Sequence, residues 1–442
     1  MALSAREAAL RTLGAFRKNG AWSDVCLDNI IKKEGLDARE AALASRICYG
    51  VLQNKILCDY YISVFSSVRL SKIEPVVLDI LELSVYQLLF LDKIPAPAAV
   101  DEAVKLAKKY SNPSAAGYVN AVLRKISSSK DSLPEIRAKT RNELLSIKYS
   151  HPLELVDRLS EFMDGESLEG FLKANNEITP ITAQVNTLKA DTEEVLAALS
   201  AEGISAARNS WLGDCVEITG SGSLENSRVF ADGLITIQDA AARLAVMAAE
   251  PREGLAVLDA CAAPGGKSFM AAMLMKNRGS ILAADINEKK LKRIEEGARR
   301  LGIEVIKTAR MDATVRNEDL VGRFDLVIAD VPCSGLGIIR KKPEIRYKSM
   351  EEIAALPAIQ LKILENLSSY VRQGGVLLYS TCTIIPEENE GVVRAFLSRH
   401  GEFSPEAFAL PEPVGRQDAG MLTLYPHVHG MDGFFICKIR KN

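Results

Sequence analysis

Histidine is scarce in this sequence, four in 442 residues, and none stands at ligand spacing to a cysteine. The eight cysteines are scattered and no C-x-x-C pair occurs, so neither a zinc site nor a disulfide framework is expected, and the thiols read as reduced. Net charge is nearly absent too: 55 Lys+Arg against 57 Asp+Glu leave −2. No apolar run is long enough to cross a membrane. The greasiest stretch, 76–91, is interrupted by Asp79, Glu82 and Gln87, and Arg6 and Glu7 put charge where a signal peptide needs an apolar segment. There is no internal repeat and no low-complexity tract. With 48% hydrophobic and 25% charged residues, the chain has the composition of a water-soluble globular protein long enough for two or three domains, each with its own core. A cytoplasmic protein with no membrane partner and no metal is the expectation, and a monomer is its default state.

What charge there is lies unevenly. Residues 1–150 hold 22 basic and 16 acidic side chains, a net of +6, and the remainder is −8. A basic first third permits a nucleic-acid partner without proving one. Apolar residues at helical spacing predict helices over 5–16, 41–61, 73–90, 98–110 and 114–126, with Gly117, Asn120 and Arg124 on adjoining turns of the last. Helices with short connections make a bundle, and the serine cluster at 127–129 breaks it. Residues 143–230 read as a small α+β connector, with strands over 180–185 and 215–218 and a helix over 192–201. From 231 onward strands and helices alternate, with strands over 256–260, 280–284, 304–308, 324–329 and 375–380 and helices over 289–301 and 349–371. That alternation predicts a mostly parallel, doubly wound α/β sheet. Two late strands, 421–425 and 433–439, have no helix between them, so one should pair antiparallel. The expected domains are therefore 1–142, 143–230 and 231–442.

The first strand of the alternating domain runs into Cys261-Ala262-Ala263-Pro264-Gly265-Gly266-Lys267-Ser268 and then a helix. Small residues at a helix N-terminus let a ligand approach the backbone. The dinucleotide fingerprint G-x-G-x-x-G is absent. A P-loop would match at Gly266-Lys267-Ser268, but its first glycine would fall on Cys261. S-adenosylmethionine, which carries no phosphate, is the third ligand class for such a turn. Asp285 ends the second strand, where a carboxylate can bind both ribose hydroxyls. Asp312 follows the third strand, within reach of an adenine edge, and Asp330 ends the fourth. One such aspartate is often only a helix cap or turn former; an adenosyl ligand at the strand ends accounts for all three.

The fourth strand ends in Asp330-Val331-Pro332-Cys333-Ser334-Gly335 and the fifth in Tyr379-Ser380-Thr381-Cys382-Thr383. A cysteine after a buried strand is usually a small core residue. Two at the same rim, one beside an aspartate, suggest covalent chemistry. Methylation of a pyrimidine at carbon 5 would use them. That carbon is a poor nucleophile until a thiolate adds to carbon 6, and an acid at ring nitrogen N3, the place of Asp330, stabilises the developing charge. Position alone does not say which cysteine attacks.

Together with Pro386-Glu387-Glu388-Asn389-Glu390, these segments resemble the RNA cytosine-5 methyltransferases of the Nop2/Sun/RsmB superfamily. The first 130 residues resemble the antitermination factor NusB, through Leu91-Asp92-Lys93-Ile94-Pro95 and Tyr118-Val119-Asn120-Ala121-Val122-Leu123-Arg124. A NusB-like module ahead of this catalytic domain is the layout of the RsmB-type subfamily, which acts on 16S ribosomal RNA; Gly337 to Arg346 and Asp432-Gly433-Phe434-Phe435 fit it as well. The resemblance spans essentially the whole chain, least clearly the connector. It implies a class I methyltransferase fold, S-adenosylmethionine as methyl donor, and 16S RNA, naked or in an early assembly intermediate, as substrate. It implies Cys382 as the nucleophile and Cys333 as the group that assists product release. It also implies a cofactor site lined by Cys261, Ala262, Ala263, Pro264, Gly265, Gly266, Lys267, Asp285, Asp312 and Asp330. Val331 departs from the family's usual alanine, a change of local packing only.

Other residues admit two readings. Lys267 can cap a helix start or act beside the cofactor and Asp330. The basic run Arg340, Lys341, Lys342, Arg346 and Lys348 is either a solvated face or a set of phosphate contacts. Arg124 and Lys125 either touch RNA or coat a helix surface. His427 and His429 read as structural or substrate-loop residues. Cys26, Cys48, Cys58, Cys215 and Cys437 read as core fillers. A P-loop hydrolase and a catalytically idle RNA-binding scaffold are the rival functions.

Overall fold

The computed structural model describes residues 3–19, 23–219 and 224–442. The chain forms two compact units, one taking in the chain up to Asn176 together with Lys342–Tyr347, the other Glu177–Lys341 with Lys348–Asn442.

The first unit is helical: α1 (Ala5–Asn19), α2 (Ser23–Glu34), α3 (Ala38–Phe65), α4 (Pro75–Phe90), α5 (Ala96–Tyr110), α6 (Pro113–Ser128), α7 (Arg141–Tyr149), α8 (Leu153–Ser160) and α9 (Gly165–Ala174). The starts follow local chemistry. Asp37, Asn112 and Thr140 accept the orphan N–H groups that open α3, α6 and α7, and proline stands in the first turn of α4, α5 and α6. The five helices expected from periodicity are present. Helix α2 was not legible, because of its apolar residues only Leu27 is fully buried. Helix α4 is buried nearly all round, and its polar residues are answered inside the bundle. Lys55 Nζ lies 2.7 Å from Glu82 and 2.8 Å from Asp59, Arg6 donates to Gln87 at 2.8 Å, and Arg17 pairs with Asp79. Among the described residues no helix is long and apolar enough to cross a membrane.

The basic run at 340–348 is not a row of free phosphate contacts. Arg346 is fully buried in the first unit, donating to the carbonyl oxygens of Gln53 at 2.9 Å and Ser150 at 2.8 Å and to Asn176 Oδ1 at 3.0 Å. Tyr347 donates to the Leu52 carbonyl at 2.8 Å. In the second unit, Arg340 and Lys341 are taken up by Asp432, at 2.8 and 2.7 Å, and Lys348 by the Ser334 carbonyl at 2.7 Å. Sequence shows the charges; only the fold shows that buried acceptors already hold them.

The second unit opens with β1 (Ile181–Val185), α10 (Thr192–Ala201), β2 (Ser205–Arg208), β3 (Cys215–Thr219), α11 (Arg228–Ala231) and β4 (Ile235–Ile237). These form an antiparallel sheet in the order β2-β3-β1-β4, whose buried face includes Ala183, Val185, Val216 and Ile218. Next come α12 (Ala240–Ala248), β5 (Ala256–Asp259), α13 (Gly266–Leu274), β6 (Ser280–Asp285), α14 (Glu288–Leu301), β7 (Ile306–Arg310), β8 (Phe324–Asp330), α15 (Met350–Ser368), β9 (Val371–Thr381), α16 (Val392–Leu397) and β10 (Phe403–Pro405). The chain closes with β11 (Phe408–Ala409), β12 (Arg416–Gln417), β13 (Met421–Leu424), α17 (Pro426–His429) and β14 (Phe434–Lys441). The main sheet runs β10-β14-β9-β8-β5-β6-β7. Strands β5 to β9 pair parallel, as the alternation predicts; β14 pairs antiparallel with both β9 and β13. Helix-covered parallel strands are apolar on both faces, as Val257, Leu258, Val327, Ile328, Leu377 and Leu378 show. Strand order reverses at β5, between β6 and β8, and in such sheets a crevice opens there at the strand C-termini.

Candidate active site

Every residue proposed from sequence for the site stands on this C-terminal rim. The loop after β5 turns sharply into α13 through Gly265, whose φ of 110° no other residue type adopts readily. A Cβ at Gly265 would stand 2.5 Å from the Phe269 ring and one at Gly266 2.7 Å from the Gln238 amide, so either substitution would require the facing side chain to shift. Three loop N–H groups are taken by protein acceptors, Ala262 by the Ala284 carbonyl, Ala263 by Asp285 Oδ2 and Gly265 by the Ala262 carbonyl. Asp285 also accepts from Asn287 N at 2.8 Å. Asp312 is fixed by Thr314, whose hydroxyl and N–H hold its carboxyl below the usual range.

Electrostatics separates the ligand classes. Burial, and after it the charges of Asp259, Asp330, Asp285 and Asp312, push the Cys261 thiol far up and keep it neutral. The first glycine of a P-loop is replaced by Cys261, and acidic residues gather around the loop, surroundings that do not favour a triphosphate. A cationic ligand such as a sulfonium suits the same surroundings. Asp259 was not singled out from sequence. It ends β5 fully buried, accepts from Ser268 Oγ at 2.7 Å, and burial raises its pKa to about 7. Its Oδ1 is buried without a partner, a vacant acceptor beneath the loop.

At the next strand ends the two cysteines meet, with Cys333 Sγ 3.2 Å from Cys382 Sγ. Beside them Asp330 is held on both oxygens, by Ser380 Oγ at 2.8 Å and by Lys267 Nζ at 2.7 Å. Burial alone would lower the Lys267 pKa, but the Asp330 carboxylate more than offsets it, and Lys267 stays charged. Its ammonium also lies 5.1 Å from the Phe434 ring centroid. Hydrogen bonding to Cys382, and then burial, push the Cys333 thiol well above its ordinary value.

Positions that sequence could not assign hold the two cysteine segments. Glu388 accepts from Ser334 N and from Gln360 Nε2, both at 2.8 Å, while Gln360 also donates to the Pro332 carbonyl at 3.0 Å. Asn389 accepts from Thr381 Oγ1 at 2.6 Å and donates to the Thr383 carbonyl at 3.1 Å. The Ser334 and Thr383 hydroxyls meet at 2.7 Å. Gly337 N–H reaches the Cys382 carbonyl at 3.0 Å, and Gly433 N–H reaches the Gly337 carbonyl at 2.8 Å. The acidic motif at 386–390 was visible in the sequence, but the partners of its buried members were not. All eight cysteines are free, and no cluster of three or more His, Cys, Asp or Glu able to hold a metal occurs among the described residues.

Three family profiles match the chain: the NusB family over residues 3–128, a RsmF/B-like ferredoxin-like domain over 151–225, and the 16S rRNA methyltransferase RsmB/F over 246–440. A probable ribosomal RNA small subunit methyltransferase B of Bacillus subtilis is 38% identical over 446 aligned positions, covering 99% of each chain. Among solved structures, PH0851 is 30% identical with a TM-score of 0.82, covering 99% of this chain and 98% of that one. A methyltransferase homologue from Pyrococcus horikoshii is 29% identical with a TM-score of 0.58, covering 67% of this chain and 98% of its own. The fold is thus a NusB-like helical domain followed by a Rossmann-like methyltransferase, and the chain belongs to the RsmB/F family of 16S ribosomal RNA methyltransferases.

Proposed function

We propose that this chain transfers a methyl group to carbon 5 of a specific cytosine in 16S ribosomal RNA through a covalent adduct between Cys382 and carbon 6. The observation that carries the reading is the pair of thiols 3.2 Å apart beside the Asp330–Lys267 ion pair. Bound in the crevice, S-adenosylmethionine supplies an electrophilic methyl on a sulfonium. In this reading the 261–267 loop and Asp285, Asp312 and Asp330 line its site.

Cys333 keeps its proton and lies 3.2 Å from Cys382, whose thiolate is the nucleophile in this reading. That thiolate adds to carbon 6, and the ring electrons displaced toward carbon 5 form its bond to the methyl as the methyl–sulfur bond breaks, leaving a neutral thioether. Asp330 faces ring nitrogen N3, and the charge of Lys267 offsets the negative charge that builds on the ring. The carbon 5 proton passes to water, and the electron pair it leaves re-forms the double bond and expels Cys382 as a thiolate, a release that Cys333 assists. The base must be unpaired or flipped out, because the thiol approaches from its face. Segments 1–142, 143–230 and 231–442 act as the RNA-orienting, connecting and catalytic parts of a monomer working in the cytoplasm on naked 16S RNA or an early assembly intermediate.

The test incubates the protein with labelled S-adenosylmethionine and protein-free 16S RNA and maps 5-methylcytosine. Methylation at one cytosine, lost in Cys382→Ala, with a stable RNA adduct accumulating in Cys333→Ala, is the expected result. Transfer that survives Cys382→Ala overturns the assignment of the nucleophile. Methyl transfer to an atom other than carbon 5 overturns the chemistry.

A further inference from the structure

We infer that the turn Glu387–Gly391 positions the two thiols for different steps of the reaction. Asn389 sets Cys382 for attack on carbon 6, and Glu388, acting with Gln360, sets Cys333 for product release. The inference rests on the reading that the chain works through a Cys382 adduct. The turn follows β9 and is wider than an α-turn, with Gly391 N–H reaching back to the Pro386 carbonyl at 2.8 Å. Such π-turns are rare and occur often at functional sites. Tyr379 fastens this one to β9, its hydroxyl donating to the Glu388 carbonyl at 2.5 Å. Glu388 and Asn389 are adjacent, and successive side chains of a helical turn point in diverging directions, so each reaches a different strand end.

Each thiol is bracketed on both sides. Glu388 takes the Ser334 N–H at 2.8 Å, just after Cys333. Gln360, which donates to Glu388 at 2.8 Å, also donates to the Pro332 carbonyl at 3.0 Å, just before Cys333. Asn389 does the same for Cys382 with one side chain: it accepts from Thr381 Oγ1 at 2.6 Å on one side and donates to the Thr383 carbonyl at 3.1 Å on the other. Fold stability alone does not favour this arrangement. Glu388 is fully buried, and its Oε1 has no hydrogen-bond partner among the described residues. A buried charge is costly unless it is fully paired. The division of labour has a kinetic signature. Attack forms the Cys382–carbon 6 bond and depends on where Cys382 stands. Release, in which carbon 5 gives its proton to water and the Cys382–carbon 6 bond breaks, depends on where Cys333 stands. A network that only supported the fold would slow both steps together.

The test uses the full chain, S-adenosylmethionine and two protein-free 16S transcripts, one ordinary and one made with 5-fluorocytidine. Fluorine at carbon 5 cannot leave as a proton, so on that RNA the adduct forms and stays, and its appearance reads attack alone. On ordinary RNA the lifetime of the adduct reads release. Asn389→Ala should slow adduct formation on the fluorinated RNA by on the order of 10- to 100-fold, the effect of a misplaced reacting group. Glu388→Ala should form that adduct at close to the parent rate but accumulate it on ordinary RNA, with release slowed by on the order of 10- to 100-fold. Thr381→Val should repeat the Asn389→Ala pattern and Gln360→Ala the Glu388→Ala pattern, so the split is read even where one buried variant folds poorly. Glu388→Gln keeps an acceptor oxygen for the Ser334 N–H and should recover most of the release rate lost in Glu388→Ala. Melting temperature and calorimetric affinity for S-adenosylmethionine identify any variant that misfolds. Equal slowing of attack and release in Glu388→Ala and in Asn389→Ala assigns the network to fold stability and overturns the proposal. So does attack at the parent rate in both Asn389→Ala and Thr381→Val, or prompt release in both Glu388→Ala and Gln360→Ala. No adduct from the unaltered chain on the fluorinated RNA strikes the covalent reading itself, an outcome seen in the parent protein before any variant is compared.

Discussion

Gly337→Ala tests how tightly the cysteine segments are held. A Cβ at Gly337 would lie 2.0 Å from the Gly433 carbonyl oxygen, 2.5 Å from its carbon and 2.8 Å from its Cα. The intruded atoms are backbone on both sides, so no side chain can swing away. Restoring van der Waals separation moves the two segments apart by about 1 Å, which breaks the Gly433 N–H to Gly337 carbonyl bond and strains the Gly337 N–H to Cys382 carbonyl bond. Overpacking costs about 1–3 kcal/mol and the lost hydrogen bond about 1 more, so the variant should be destabilised by roughly 2–4 kcal/mol. A displacement of about 1 Å at a reacting group lowers turnover by on the order of 100-fold. The 261–267 loop is not touched, so affinity for S-adenosylmethionine should not change. Urea unfolding, calorimetric titration with S-adenosylmethionine and single-turnover methylation of 16S RNA measure the three quantities. Gly401→Ala, where a Cβ meets nothing within 4 Å and φ is not positive, is the neutral control. A Gly337→Ala protein with unaltered stability and rate would refute the claim that this backbone contact positions Cys382.

Two further outcomes follow from buried charges. Asp259 takes up its proton at about 7 in the folded chain against an ordinary 3.8, because burial disfavours its charge. Its contribution to stability is therefore complete below about pH 4 and drains away as pH rises toward 7, by as much as roughly 4 kcal/mol. Asp259→Asn should remove that part of the slope when unfolding is followed between pH 4 and 8; an unchanged slope would contradict the burial argument. Arg346→Met strips the donors from the carbonyls of Gln53 and Ser150 and from Asn176, and should destabilise the first unit by about 3–5 kcal/mol. Thermal melting that stays within a degree or two of the parent protein would show that those acceptors find other partners.

Local chemistry in the sequence by itself determined the elements. Periodicity and caps mark α1 and α3 to α6, alternation marks the parallel strands, and the glycine loop, the three aspartates and the two cysteines each declare themselves at strand ends. Strand C-termini in a parallel sheet share one edge, so residues far apart in the chain had to assemble at one rim, and their identity was legible before their geometry. Tertiary structure decided the partners. It brought Cys333 and Cys382 to 3.2 Å, locked Asp330 between Ser380 and Lys267, and gave Glu388 and Asn389 the task of holding both cysteine segments. It also took the basic run at 340–348 out of contention as a set of free cations, Arg346 being buried against carbonyls. A side chain's type is a local fact, but its burial and its hydrogen-bond partners depend on residues tens or hundreds of positions away, and those meet only when the sheet and the helices close.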